Sequence, residues 1–286
     1  MIKLLRVHQY LKNTFIFLPL FFAGKITDPE RLTSCIFAFC FFSILASSVY
    51  IFNDWTDLKS DLKHPIKKLR PLASGKVSLK AALILMIFCL LLGGTGLYLL
   101  SPWGLFIGVI YILQNIAYSL RLKHIAILDV TIIAVGFVLR LFIGSAATGV
   151  VLSKWIIAMT FLLALFLALA KRRDDVLIYQ ETGKRMRRVI DGYNLQFINA
   201  AMTLMASTVI VAYTLYTVSP GVVDRIGSDK LYVSTVFVIL GILKYIQITI
   251  VLGLSGSPTQ ILLKDRFMQI TIFGWVMFFG WMIYLQ

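Results

Sequence analysis

The chain has 286 residues, 59% of them hydrophobic and 14% charged, with a formal net charge of +15 and a mean hydropathy of +0.87. That balance excludes an ordinary soluble domain, and the basic excess is no sign of nucleic-acid binding until its placement is known. Three cysteines and three histidines without metal-ligand spacing exclude a disulfide scaffold and a zinc site.

Residues 1–13 mix Lys3, Arg6 and Lys12 with Leu4, Leu5, Val7, Tyr10 and Leu11, as an amphipathic segment at a membrane surface would. No small-residue cleavage site follows, so a signal peptide is a poor reading. Apolar runs then predict membrane helices. The first, 14–23, is short and crosses only if Tyr10, Lys12 and Lys25 sit at the interfaces. The others are 32–52, 79–100, 103–120, 125–147, 154–170, 195–219, 231–254 and 267–286. The expected fold is all-α: one polytopic membrane domain over 1–286 with about nine transmembrane helices, eight if the first run does not cross.

With nine spans, most of the 28 Lys and Arg fall in the segments on one side, at the N-terminus, 53–78, 121–124, 171–194 and 255–266. The other side keeps only Lys25, Arg31, Lys154, Arg225 and Lys230. The charge excess therefore marks the cytoplasmic face.

Asp54, Asp57 and Asp61 follow the 32–52 run at i, i+3 and i+7, close together on one helix face, with Asn53 adjacent. Like charges at that spacing repel, and helix stability does not call for them. A hard divalent cation such as Mg²⁺ resolves the conflict, because it takes carboxylate oxygens and is shared with substrate phosphates. A solvated helix end with stray acids is the plainer alternative. His64, Lys67, Lys68, Arg70 and Lys76 come next, in a stretch broken by Pro65, Pro71 and Gly75. Acids for a metal and bases for phosphates suggest a diphosphate substrate, with the Arg70 fork favoured as a phosphate ligand.

A second polar loop is expected at 171–194, where Lys171, Arg172, Arg173, Asp174 and Asp175 leave one span and Lys184, Arg185, Arg187 and Arg188 approach the next. Asp129 and Arg140 lie within a span, where ionisable groups are costly and face a cavity or a partner. They read equally as site residues or as structural polars of the bundle. Lys244 reads as a head-group ligand or a snorkelling cation, and Lys123 as a phosphate ligand or an ordinary loop cation. The Gly93-Gly94 pair is the one hint of a broken, transporter-like helix.

The pattern Asn53-Asp54-x-x-Asp57-x-x-x-Asp61 after the second span resembles the UbiA superfamily of intramembrane prenyltransferases. Asp61-x-x-His64-Pro65-x-Lys67-x-x-Arg70-Pro71 is similar to its decaprenyl-phosphate phosphoribosyltransferase-like branch, as are Gln9 to Asn13, Tyr118 to His124, Asp129, Arg140 with Gly144, and Gly256 to Gln269. The resemblance implies helices around a central cavity, Mg²⁺ as cofactor, and transfer of phosphoribose from 5-phosphoribosyl 1-diphosphate to a polyprenyl phosphate. It implies that Asp54, Asp57 and Asp61 are catalytic and hold the metal. Asn53, Lys12, His64, Lys67, Arg70, Tyr118, Lys123, Asp129, Arg140, Lys171, Arg172 and Asp175 would bind substrate. The branch's Lys-Arg-Tyr-x-Glu pattern becomes Lys171-Arg172-Arg173-Asp174-Asp175 here, and Val7 and Tyr10 replace a usual proline and tryptophan.

The expected protein is thus a Mg²⁺-dependent transferase of the bacterial inner membrane, its site on the cytoplasmic side, serving cell-envelope polysaccharide synthesis. No nucleic acid is expected as partner, and a homo-oligomer is compatible with the pattern. The alternatives are transfer of a polyprenyl group from its diphosphate to an aromatic acceptor and, more remotely, a non-catalytic lipid or ion transporter.

Overall fold

The computed structural model describes residues 2–62, 67–183, 188–253 and 258–285. His64 and Lys63, the basic residues Lys184, Arg185 and Arg187, and Gly256 lie outside these. Among the described residues every regular element is helical. Eight are long and apolar enough to cross a membrane: α1 (Pro29–Thr56), α2 (Leu79–Leu100), α3 (Pro102–Leu120), α4 (Leu128–Thr148), α5 (Lys154–Thr182), α6 (Leu195–Thr217), α7 (Lys230–Ile250, its first turn 3-10) and α8 (Arg266–Tyr284). This is an integral membrane protein of the predicted class.

The shortest predicted span, 14–23, takes an unexpected form. Val7–Phe17 is a 3-10 helix and Leu18–Phe22 a short α-helix. In a 3-10 helix side chains at i and i+3 eclipse, so Tyr10, Asn13, Ile16 and Pro19 form one straight ridge. Going outward from Arg6, the arm meets Asp54, Ser47, Ser43 and Cys35 of α1 in turn, through Arg6, Tyr10, Asn13 and the Ile16 carbonyl. It therefore runs antiparallel along most of α1. Eleven residues at about 2 Å rise plus five at about 1.5 Å span roughly 30 Å, the thickness of a hydrocarbon core. Among the described residues there are thus eight candidate spans, with an arm of span-like length beside them.

The chain divides into two compact units, Met1–Lys123 with Gly136–Leu152, and His124–Val135 with Ser153–Gln286. In the first, the arm, α2 and α3 pack on α1. α2 runs unbroken through Gly93 and Gly94, so that pair is not a transporter-like break. Gly93 instead lets two backbones meet: a Cβ there would lie 2.7 Å from the Leu45 nitrogen and 2.8 Å from the Phe41 oxygen. Gly144 does the same for the arm, since its Cβ would stand 2.0 Å from the Ile16 carbonyl oxygen.

Within this unit Arg140 is buried, 5% exposed. Its Nε donates to Asn13 Oδ1 at 2.8 Å, Nη1 to the Gly136 carbonyl at 2.6 Å and Nη2 to the Tyr111 hydroxyl at 3.3 Å. The rings of Phe42, Tyr111 and Phe137 stand 5.2–5.5 Å from its guanidinium carbon. Cation–π contact and hydrogen bonds together offset the cost of burying this charge.

In the second unit α5 packs on α6, around a core that includes Phe166, Leu169, Ile198, Met202 and Tyr245. α5 extends well past the predicted end at residue 170. Lys171 to Asp175 therefore sit on a helix rather than in a loop. No Gly or Pro interrupts the run until Gly183, which takes φ 65 and ends it, and the Arg172–Asp175 pair at i, i+3 supports the extension. Lys244 meets Gln247 Oε1 at 3.0 Å and Asp265 at 3.8 Å.

Candidate active site

In the first unit the chemistry gathers at the C-terminal end of α1. Asp54 is on its last turn, Asp57 is the C-cap residue, and Asp61 ends the next short helix, Leu58–Asp61. At Asp57 the backbone leaves α geometry, with φ −89 and ψ 0. Asp54 and Asp61 thus lie on two successive helices with Asp57 at the junction, and the i→i−4 bonds Asp57 N–H to Asn53 O and Asp61 N–H to Asp57 O bracket it. Asp54 and Asp61 share one guanidinium, and Asp57 meets a different cation.

Each acid meets a cation. Arg70 Nη1 bridges Asp54 Oδ1 at 3.0 Å and Asp61 Oδ2 at 2.6 Å. Arg6 Nη2 binds the same Asp54 Oδ1, and Lys123 Nζ binds Asp57 Oδ1 at 2.6 Å. Asn53 Oδ1 accepts from the Ser119 hydroxyl at 3.2 Å. Asp54 and Asp61 are each 2% exposed, and buried carboxylates need such pairing. Among the described residues no three acidic, imidazole or thiol side chains are arranged to hold a metal ion. In this structure the acids are neutralised by neighbouring cations.

The predicted ligands Arg70, Lys123 and Asn53 are thus brought to the acids. Lys67 opens the 3-10 turn Lys67–Leu69 just before Arg70, and Tyr118 lies one residue before Ser119 on the last turn of α3. Lys12 stands on the 3-10 arm beside Asn13. Arg140 belongs to the separate aromatic cage: its ring neighbour Phe42 is twelve residues from Asp54 along α1, about 18 Å at 1.5 Å per residue.

Arg6 was not among the predicted ligands. It takes φ 51, a left-handed conformation uncommon for a residue other than glycine, and its guanidinium lies 5.5 Å from the Tyr50 ring centre. In sequence it reads as one more interfacial cation. Only its place in the Arg6-x-x-Gln9 stretch ahead of Lys12-Asn13 could have marked it.

The second unit holds a different polar cluster. Arg172 is 1% exposed, and its Nε binds Asp129 Oδ2 while Nη1 binds Asp175 Oδ2 at 2.6 Å. The Tyr193 hydroxyl donates to Asp129 Oδ1 at 2.6 Å and accepts from the Ile127 N–H at 2.7 Å. Burial, and then the hydrogen bond to Asp129, push the Tyr193 phenol above its ordinary pKa. Ile127 is itself at φ 72, rare for a β-branched residue. Arg173, buried, bonds Asn199 Oδ1 at 2.9 Å and the Thr249 carbonyl at 2.7 Å. Of the predicted ligands here, Arg172, Asp129 and Asp175 form one ion network, and Lys171 is exposed. Tyr193 is the member that sequence reasoning missed.

The model of the family described as UbiA prenyltransferase family matches residues 14–250. A decaprenyl-phosphate phosphoribosyltransferase from Mycobacterium tuberculosis is 29% identical over 279 residues, covering 96% of this chain and 91% of its own. One from Corynebacterium glutamicum is 27% identical over 291 residues, 100% of this chain and 87% of its own. Among solved structures, a UbiA homolog from Archaeoglobus fulgidus bound to DMAPP and Mg²⁺ superposes with a TM-score of 0.71 at 18% identity, covering 98% of this chain and 97% of that one. At that identity the structural likeness speaks for the fold alone.

Proposed function

The chain belongs to the UbiA prenyltransferase family, and on that premise we propose that it transfers the phosphoribosyl group of 5-phosphoribosyl 1-diphosphate to a polyprenyl phosphate. The observation that carries the reading is the interleaving of acid and base at the end of α1, where Asp54, Asp57 and Asp61 alternate with Arg70 and Lys123. The relatives' names favour phosphoribose over a prenyl group as the moiety moved.

The donor set suits Mg²⁺ in kind, because three carboxylates offer hard oxygen ligands. Asp54, Asp57 and Asp61 would hold it. When bound it would supply a Lewis acid that neutralises the leaving diphosphate. The bond from ribose C1 to the diphosphate oxygen breaks, and the electron pair leaves with the diphosphate. A lipid-phosphate oxygen forms the new bond to C1 from the opposite face. That oxygen is already anionic, so the chain need not supply a strong base. Lys67, Arg70 and Lys123 bind phosphate oxygens beside the acids, and exposed Lys171 binds the donor or lipid phosphate. Buried Arg172 acts on Lys171 only by fixing that turn of α5 through Asp129 and Asp175.

The clustering of Lys and Arg on one side supports, by the positive-inside rule, a cytoplasmic site in a bacterial inner membrane, where a sugar diphosphate would be available. The lipid tail lies among the helices.

Purified protein in detergent, given labelled 5-phosphoribosyl 1-diphosphate, a polyprenyl phosphate and Mg²⁺, should form a lipid-extractable phosphopentose. A chelator should abolish it and Asp57→Asn should strongly reduce it. Prenylation of an aromatic acid from polyprenyl diphosphate, with no labelled lipid, would replace this reading by the prenyl-transfer alternative.

A further inference from the structure

Two guanidiniums converge on one carboxylate oxygen. Arg6 Nη2 and Arg70 Nη1 both bind Asp54 Oδ1, and Arg70 continues to Asp61. The acids are buried at 2–3% side-chain exposure, whereas Arg6 and Arg70 retain 18% and 25%. The acids thus lie inside and the cations stand on their accessible side. Arg6 hangs on a left-handed backbone at the start of the arm, and Arg70 follows a single 3-10 turn. Neither is locked within a long helix.

From this arrangement we infer that Arg6 and Arg70 are exchangeable counter-ions. They neutralise Asp54 and Asp61 while the acids hold no divalent cation, and they turn onto the phosphates when a metal–diphosphate complex binds. The inference rests on reading the acids as a metal–diphosphate site, and is independent of which group is transferred. Asp54 Oδ1 cannot keep two guanidiniums and also ligate a divalent ion, so a metal that takes this oxygen displaces them. A metal arriving alone leaves two arginines beside it without an anion, and like charges so close repel. A metal arriving with diphosphate supplies phosphate oxygens that match the guanidinium forks. Metal and diphosphate binding are therefore positively coupled. Arg6 becomes a substrate-binding residue carried by the N-terminal arm.

The test is binding rather than turnover. Mn²⁺ affinity of the detergent-purified protein is measured by the paramagnetic signal of the free ion, and affinity for preformed Mn²⁺–diphosphate by equilibrium dialysis. Arg6→Gln and Arg70→Gln should each bind Mn²⁺ alone on the order of tenfold tighter than wild type, and bind the preformed complex on the order of tenfold more weakly. Arg31→Gln, which removes a cation paired with Asp28 at the far end of α1, should change neither. Thermal unfolding checks that each variant is folded, and Arg70→Lys, which keeps charge but loses the fork, should fall between. Movement of both affinities in the same direction, or unchanged Mn²⁺ affinity in the glutamine variants, overturns the exchange. Wild-type protein that binds neither probe overturns the metal–diphosphate reading along with it.

Discussion

Asn13 and Arg140 stand 127 positions apart in sequence and share a buried hydrogen bond of 2.8 Å. Asn13 also donates to the Ser43 hydroxyl at 2.9 Å, so one amide ties the 3-10 arm to α1 and α4 together. Asn13→Ala should leave a donor of a buried guanidinium unpaired, at a cost of about 1–3 kcal/mol. In detergent, thermal unfolding should shift down accordingly. Arg140→Met should also lower stability while the folded fraction keeps the wild-type KM for the donor. A large rise in KM at unchanged stability would return Arg140 to the substrate.

The contact between Gly144 and the Ile16 carbonyl predicts a sharp size limit. Gly144→Ala puts a carbon 2.0 Å from that oxygen, and backbone must move. Overpacking of this kind costs about 1–3 kcal/mol or more. At Gly94 an added carbon would find its nearest neighbour, Leu105 Cδ1, at 3.7 Å, so Gly94→Ala should be tolerated. The yield of monodisperse protein and its unfolding temperature separate the two. Equal behaviour would mean the arm does not lie against α4.

Lys123 and Asp57 should matter to chemistry more than to stability, because their 2.6 Å pair is partly exposed. Asp57→Asn and Lys123→Met are each expected to lower kcat/KM by about 10²–10³, the usual scale for losing one electrostatic partner of a developing charge. Unfolding temperatures should change little. Loss of folded protein in place of loss of rate would make the pair structural.

Tyr193 bridges Asp129 and the Ile127 N–H, so Tyr193→Phe leaves both groups short of a partner and should cost about 1–3 kcal/mol. Its phenol titrates above the ordinary value of about 10. The stabilisation from the neutral phenol is therefore complete below pH about 10 and lost as pH rises through the folded-state value. Alkaline unfolding should cost wild-type protein more stability than Tyr193→Phe. Parallel pH profiles for the two proteins would remove Tyr193 from the network.

How much of this was legible beforehand differs from residue to residue. The spacing of Asp54, Asp57 and Asp61 pointed to a candidate site, yet the departure from α geometry at Asp57 could not be read, since the run around it contains no Gly or Pro. Arg172 read as a substrate-binding cation of a polar loop. It is enclosed because α5 continues to Thr182 and turns it inward onto Asp129, 43 positions away. The 3-10 arm was readable only as a doubtful span, because a period of three is easily lost in eleven apolar-rich residues.

Sequence alone determined the class, the eight long apolar spans and the ends at which charge collects. Bilayer thickness converts the length of an apolar run directly into a span, and charged side chains remain at the interfaces. Tertiary structure decided which cation meets which acid. Arg6 reaches Asp54 across 48 positions and Lys123 reaches Asp57 across 66. Such pairings depend on how each helix is rotated about its axis and how far it slides along its neighbour. Side-chain packing over the whole interface sets both, through contacts such as those of Gly93 and Gly144, and no local spacing encodes them.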